Sequence, residues 1–398
     1  MKILQLDVQG FRSLKNISWK PADLNILIGP NASGKSNVLH ALDMISASAQ
    51  GRLGEHIRRH GGMEPILYDG SADGFRFSIR YSPLEEHRDP EKDSLTYEMQ
   101  IERPWDLGLY CIKRELLGKY YRVRIGEEEE PFKLLERIGQ KGHIFDENQR
   151  QLIAHAESIN EEETLLSSSA GPFLFGVNKY VYVFQKYLAA NRIYHDVYLG
   201  SNSPIRQPAI TQLEERVSPS GENLVSVLHT LYEGQSDVRD DIDAAMCAAF
   251  GDDYKGLVFP PASDRRIQLR VAWKSLKRQI PASDLSDGTL RFLFLLAVLM
   301  KRAPLIAIDE PETGLHPSML PIIAEYAVEA SRHCQVILTT HSPQFLSAFR
   351  ETKPTTTIVQ WRDGETVLNT LDNEALKDWL EHYSLGELFE SGELENFG

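Results

Sequence analysis

Gly29-Pro30-Asn31-Ala32-Ser33-Gly34-Lys35-Ser36 follows directly on the apolar run Leu24 to Ile28 and precedes apolar positions at helical spacing, Val38, Leu39, Leu42 and Ile45. A buried strand, a glycine-bounded loop and a helix in that order make a cradle for phosphate. Gly29 and Gly34 let the backbone turn tightly enough for successive amide N–H groups to face a β-phosphate. The helix opening at Lys35 adds the positive end of its dipole, the Lys35 ammonium reaches the β- and γ-phosphates, and the Ser36 hydroxyl suits Mg2+. Gly29, Asn31, Ser33, Gly34, Lys35, Ser36 and Asn37 are therefore the candidate nucleotide-contacting residues, with ATP and Mg2+ as the implied ligands. With glycine near its average abundance, the pattern should arise by chance in a chain of this length on the order of one time in a hundred. The alternative is a glycine-rich turn without a ligand.

The 398 residues allow two or three lobes and a large core. A formal charge of −14 opposes binding to nucleic acid over the whole surface, because like charges repel within a Debye length. A local basic groove stays compatible with that charge. Cys111, Cys247 and Cys334 stand far apart without a C-x-x-C pair, which fits reduced, buried thiols better than disulfides or zinc. The opening Met1 to Asp7 lacks the apolar stretch of a signal peptide, and the most apolar run, Leu290 to Met300, is too short to span a bilayer. The expectation is a cytoplasmic protein with no membrane partner.

Ile3, Leu4, Leu6 and Val8 open a strand, and a second strand ends at the phosphate loop. Phe75 to Tyr81, Leu95 to Glu102, Leu109 to Leu117 and Tyr120 to Ile125 alternate or are aromatic-rich, the last pair separated by a turn at Gly118, and read as an antiparallel sheet. Gly126 to Glu130 begins a charged stretch, and Phe132 to Leu166 has helical composition without a sustained heptad. Tyr180 to Ala190 and Asn223 to Tyr232 are helical patterns, broken by the Pro- and Ser-rich Ser201 to Pro208. From Ile267 onward strands alternate with helices at Leu290, Met319 and Gln344, which implies a parallel α/β sheet. Three regions result: 1–126 with the phosphate loop and antiparallel β structure, 127–258 as a mostly helical insertion, and 259–398 as a parallel α/β lobe.

Four further motifs fall in the order that nucleotide hydrolysis requires. Leu305 to Ile308 is an apolar strand ending in Asp309 and Glu310, placing one carboxylate for a Mg2+ shell and the next for an attacking water. The bland alternative is an acidic strand-to-loop junction. Leu285-Ser286-Asp287-Gly288-Thr289 stands before a helix, where the Ser286 hydroxyl, the Gly288 backbone and the helix N-terminus make a second anion site, or an ordinary cap at Ser286 or Asp287. His341, after the apolar strand Gln335 to Thr339, emerges where ligands of open α/β sheets bind and suits a γ-phosphate contact, against a purely structural role. Pro311 to Pro317 follows the carboxylates as a loop suited to signalling, or as a simple turn.

Together the phosphate loop, LSDGT, IAIDEPE, ETGLHP and TTHSPQF resemble the ABC-type ATPase heads of the RecF/SMC-like superfamily. Within it the chain is similar to stand-alone AAA family ATPases related to the ATPase half of OLD-family nucleases. Gly10-Phe11-Arg12-Ser13-Leu14 and the stretch Trp379 to Leu388 fit that group, whereas residues 126 to 260 resemble it weakly. The resemblance implies two protomers paired head to tail, each ATP lying between the phosphate loop of one and the signature of the other. It assigns Lys35 and Ser36 to phosphate and Mg2+, Asp309 to Mg2+, Glu310 as catalytic base, Ser286 and Gly288 to the opposing γ-phosphate, and His341 as catalytic switch. Asp287 departs from the glycine usual in transporters, although Asp is common in this subgroup, and Gln100 is the candidate for the family's Q-loop.

The functional expectation is an ATP-hydrolysing molecular switch, a homodimer or higher oligomer, in phage defence or DNA maintenance. OLD-family relatives carry a fused TOPRIM nuclease, and the sequence after His341 has no room for one. A separately encoded effector, TOPRIM-like or another nuclease, is therefore expected. The alternative is a RecF-like repair ATPase sensing DNA ends or gaps through Arg52, Arg58 and Arg59 near the phosphate loop and through Arg265 and Arg266. A transporter ATPase fits poorly with the Phe11-Arg12-Ser13 entry and the insertions.

Overall fold

A computed structural model describes residues 1–70, 72–84, 93–104, 110–119, 131–154, 159–168, 178–349, 352–371 and 383–392. They form two units: Met1–Arg192 with Thr355–Thr370, and Ile193–Pro354 with Leu371–Gly398.

In the first unit, β1 (Ile3–Phe11) turns through Arg12 into β2 (Leu14–Trp19), and β3 (Leu24–Ile28) leads to α1 (Lys35–Ala49) and α2 (Leu53–Arg59). All five residues of β3 are buried, the pattern of a strand covered on both faces. Then come β4 (Gly74–Tyr81), β5 (Leu95–Glu102), β6 (Cys111–Lys119), β7 (Phe132–Ile138), β8 (Lys141–Asp146) and β9 (Gln151–Ala154), followed by α3 (Leu165–Ser168) and α4 (Lys179–Ala189). Strands β2-β1-β4-β5-β6-β7-β8-β9 make one antiparallel sheet of eight.

Two expectations need correction here. Phe132 to Ala154 is three strands of that sheet, not helix. The alternation is disguised because Phe132 and Ile138 are exposed while Arg137 is buried, its guanidinium donating to the carbonyls of Gly139 (2.7 Å), Glu163 (2.6 Å) and Asn160 (3.1 Å). Likewise Gly118 is no turn. It lies inside β6 between Thr96 and Lys133 at a register shift, the use of glycine as a bulge. The expected strand Tyr120 to Ile125 and the charged run to Glu130 lie outside the described residues.

In the second unit β10 (Arg192–Tyr194) precedes a 3-10 turn at Pro204–Arg206, then β11 (Ala209–Ile210), α5 (Leu224–Gly234) and α6 (Ser236–Phe250). The short strands β12 (Tyr254–Val258), β13 (Pro261–Ala262), β14 (Arg266–Ile267), β15 (Arg270–Trp273) and β16 (Ile280–Pro281) form two three-stranded sheets, β11-β14-β13 and β12-β15-β16. Next come α7 (Asp287–Leu299), β17 (Leu305–Ile308), α8 (Leu320–Ser331), β18 (Gln335–Thr340) and α9 (Pro343–Ser347). Strands β17 and β18 are parallel, with Ile308 opposite Leu338, and fully buried. Eleven of the thirteen residues of α7 are buried, so this apolar helix is a core element.

The chain then returns to the first unit as the hairpin β19 (Thr355–Arg362) and β20 (Glu365–Thr370), with β19 parallel to β3. A final helix, α10 (Leu385–Glu390), belongs to the second unit and opens on a capping box of Ser384 and Glu387.

Candidate functional site: a phosphate loop and a carboxylate cluster

In the first unit the loop between β3 and α1 is packed to the limit that its glycines allow. A Cβ on Gly29 would overlap the carbonyl oxygen of Val359 in β19 and touch Ser33 Oγ at 3.0 Å. A Cβ on Gly34, at φ +102°, would overlap Thr366 Oγ1 and approach Ser13 Oγ to 2.8 Å. Ala32 also sits in the left-handed region at φ +64°. The Lys35 ammonium is folded back on the loop, donating to the carbonyls of Gly29 (2.8 Å) and Pro30 (2.9 Å). Among the described residues no side chain caps α1, and no acidic residue stands in its first turn, so the positive helix end is left for an anion. Ser36 is half-buried in that turn, Asn31 is exposed, and the Ser33 hydroxyl is buried without a hydrogen-bond partner among the described residues.

Beneath the loop lies a polar bracket. Thr366 of β20 donates to Ser33 O (2.9 Å), its hydroxyl lies 2.6 Å from Ser13 Oγ, and its N–H donates to Ser13 O (2.9 Å). Asn37 Nδ2 donates to Ser13 Oγ (2.7 Å), while Asn37 Oδ1 accepts from Arg12 (3.4 Å). The Asn37 side chain is thus spent on the bracket.

In the second unit the register of β17 and β18 sets the carboxylates. Thr339 Oγ1 donates to Asp309 and accepts the Glu310 N–H (3.0 Å), and Thr340 Oγ1 donates to Glu312. Glu310 adopts φ +44° and presents its carboxylate to His341 Nδ1 at 3.0 Å, while its carbonyl accepts from Arg291 of α7 (3.0 Å). Asp309 lies 4.0 Å from His195, and its N–H donates to Tyr194 O (2.8 Å). Burial pushes the Glu312 carboxyl above the ordinary glutamate value, and the Glu310 charge adds to that direction. The same burial lowers the Arg291 guanidinium, against the opposing pull of Asp196 and the carboxylates.

At the head of α7, Ser286 is the N-cap, its Oγ accepting from Thr289 N (3.1 Å). Gly288 is required by space: a Cβ there would stand 2.8 Å from the carbonyl oxygen of Gly314 in the loop after the carboxylates.

A family model described as "AAA domain, putative AbiEii toxin, Type IV TA system" matches residues 24–347. The chain belongs to this AAA-domain family. Among solved structures it is similar to an Smc head bound to the C-winged helix domain of ScpA, at 13% identity and TM-score 0.55, over 94% of this chain and 99% of that one. It is similar also to an Smc head with an extended coiled coil bound to the C-terminal domain of ScpA, derived from Pyrococcus furiosus, at 13% identity and TM-score 0.54, over 96% and 98%. No curated protein matches in sequence. The fold is that of an ABC-type, SMC-like ATPase head, and the AAA-domain chain is an ATPase of that general kind.

Each expected site residue of this AAA-domain chain falls at one of these places. Phosphate-loop residues gather in the first unit, and Ser286, Gly288, Asp309, Glu310 and His341 in the second. Sequence reading missed Thr366, Arg206 and Arg291, which carry no local motif. The basic cluster of α2 is largely engaged, with Arg58 on Glu162 (3.1 Å), Arg59 on Glu55 (3.1 Å) and Arg52 on Gln50 (3.1 Å). Arg265 and Arg266 are exposed at the turn from β13 to β14. Gln100 lies within β5, bonded to Glu102 (3.0 Å). Among the described residues, no helix is long and apolar enough to cross a membrane.

Proposed function

We propose that this chain is an ATP-binding and ATP-hydrolysing switch, two copies of which close head to tail on ATP and report that state to a separately encoded effector. The observation that carries the reading is the phosphate loop, where both glycines are held against β19 and β20 with no space for a side chain. Such packing fixes the loop's amides in one arrangement and leaves an uncapped helix end over them, which is what a triphosphate needs. Gly29, Asn31, Ser33, Gly34, Lys35 and Ser36 line the nucleotide, and Asn37, held by Ser13 and Arg12, backs the loop. The Ser36 hydroxyl of the first unit and the Asp309 carboxylate of the second are each an oxygen donor of the kind Mg2+ takes. A bound Mg2+ would neutralise charge developing on the β- and γ-phosphates.

Glu310 is the base in this scheme. Its carboxylate is aimed by a pinned backbone and by His341, so it can orient a water and take its proton. His341, sharing that carboxylate, senses the γ-phosphate. Ser286 and Gly288 address the γ-phosphate held by the opposing copy. The family description supports a toxin–antitoxin or phage-defence setting, and the Smc heads, bound to ScpA domains, support a protein partner for a head of this fold. The effector as a TOPRIM-like or other nuclease rests on the OLD resemblance.

The test is Glu310→Gln followed by light scattering with and without ATP. An ATP-dependent dimer that persists, with turnover down by ~10²–10⁴-fold as expected on loss of a general base, supports the reading. Turnover at the wild-type rate removes Glu310 from the base role, and absence of any ATP-dependent dimer removes the head-to-tail scheme.

A further inference from the structure

The turn that precedes Ser286 is organised from outside its own segment. Arg206, in the 3-10 turn after β10, is buried, and its guanidinium lies among the carbonyls of residues 282–285. Its Nη1 donates to Ala282 O (3.0 Å), Ser283 O (3.3 Å) and Leu285 O (2.7 Å), and its Nε donates to Leu199 O (2.7 Å). Its Nη2 donates to the carboxylate of Asp287, the first residue of α7. The planar guanidinium fork thereby fixes the turn in several directions at once, which a lysine's point charge does not do. Across the turn Gly288 rests against Gly314, so the segment is held on two sides.

We propose that Arg206 is a positioning residue for the signature turn. It presets Ser286 and Gly288 to meet the phosphate of a second copy, and Asp287 stands where transporters carry glycine because it completes the Arg206 shell. This inference rests on the head-to-tail reading above. An exposed turn of that kind otherwise explores many backbone conformations, and each must be frozen when the second copy docks. A turn fixed in advance removes that cost. The nucleotide-holding loop belongs to the other unit, so nucleotide binding by a single protomer is separable from the effect.

The experiment uses the full chain as wild type, Arg206→Ala, Arg206→Lys and Asp287→Asn. For each, fluorescent ATP-analogue affinity is measured under dilute, monomeric conditions, ATP-dependent dimerisation by light scattering, and kcat and KM by phosphate release. Arg206→Ala and Arg206→Lys should keep the monomer's nucleotide affinity within twofold, weaken dimerisation at least tenfold, and lower kcat by about 10²-fold, the scale of a misplaced positioning group. Asp287→Asn, at an exposed position, should show the same pattern at smaller size. If Arg206→Ala fails to fold, the lysine and asparagine variants carry the test. Wild-type dimerisation in a folded Arg206→Lys overturns the proposal, as does a loss confined to monomer nucleotide affinity. A wild-type protein that does not dimerise on ATP sinks the head-to-tail reading instead, and the two failures are distinct.

Discussion

Replacing Gly34 by alanine tests the phosphate loop at its tightest point. A side chain at φ +102° carries a backbone cost of about 1–3 kcal/mol by itself. The new Cβ would also overlap Thr366 Oγ1 and crowd Ser13 Oγ at 2.8 Å, so Thr366 must rotate. Rotation breaks its bonds to Ser33 O (2.9 Å) and Ser13 Oγ (2.6 Å), each worth about 0.5–1.5 kcal/mol. Together these come to roughly 2–6 kcal/mol, a large share of the ~5–15 kcal/mol that typically holds a domain. The assay is a double-mutant cycle in denaturant unfolding with wild type, Gly34→Ala, Thr366→Ala and the pair. Truncating Thr366 removes the overlapping atom while leaving the φ cost. The second substitution should therefore be cheaper than the first by about 0.5–3 kcal/mol, the range for residues in contact. ATP affinity, titrated separately, should stay low in the pair because the loop's backbone is still displaced. Costs that add to within ~0.5 kcal/mol would refute the role given to Thr366. Gly29→Ala is the contrast: its Cβ meets the backbone carbonyl of Val359, which no side-chain truncation removes.

Lys35→Ala should abolish ATP binding in a direct titration, since the ammonium is the loop's only side-chain charge; retained affinity contradicts the cradle. Ser286→Arg should leave monomer ATP binding intact and block ATPase by obstructing the opposing site; wild-type turnover argues against a shared interface. Glu312→Gln addresses pH. The buried carboxyl titrates above its ordinary value of 4.5, so its stabilising neutral form is present at low pH and is lost as pH rises through the folded-state value. Wild type should therefore lose melting temperature relative to Glu312→Gln as pH is raised from 4.5 toward neutrality, and parallel curves would show that burial does not raise the Glu312 carboxyl.

Much of this architecture was legible because its chemistry is local. The phosphate loop, the signature and the carboxylate strand each need a few residues at fixed spacing, and the apolar runs Leu24–Ile28, Leu305–Ile308 and Gln335–Thr340 have the length and burial of core strands. What stayed hidden is whatever depends on partners distant in sequence. Thr366 is one threonine in a hairpin that returns to the first unit after Ile193–Pro354 of the second. Arg137 is one charge in a stretch of helical composition, and nothing local signals the three carbonyls that surround it. Asp287 looked like a family variant or a helix cap, and the Arg206 guanidinium gives it a further physical reason.

The carboxylate cluster shows how register turns two motifs into one arrangement. Ile308 pairs with Leu338, so the next residues along, Asp309 and Thr339, fall side by side where the parallel strands end. Thr339 then serves both Asp309 and the Glu310 N–H, Thr340 serves Glu312, and His341 serves the Glu310 carboxylate. Three consecutive residues of one strand end thus grip three carboxylates of the other. A slip of one residue would turn these side chains to the opposite face and release all of them at once. The β-branched, fully buried strands that fix the register are therefore as much a part of the arrangement as the acids they align. Because the Glu310 backbone is held in the left-handed region by Thr339 and by Arg291 of α7, its carboxylate direction is set by neighbours on two elements. The hydrogen bond from Arg291 thus joins α7, the helix that Ser286 caps, directly to the Glu310 backbone.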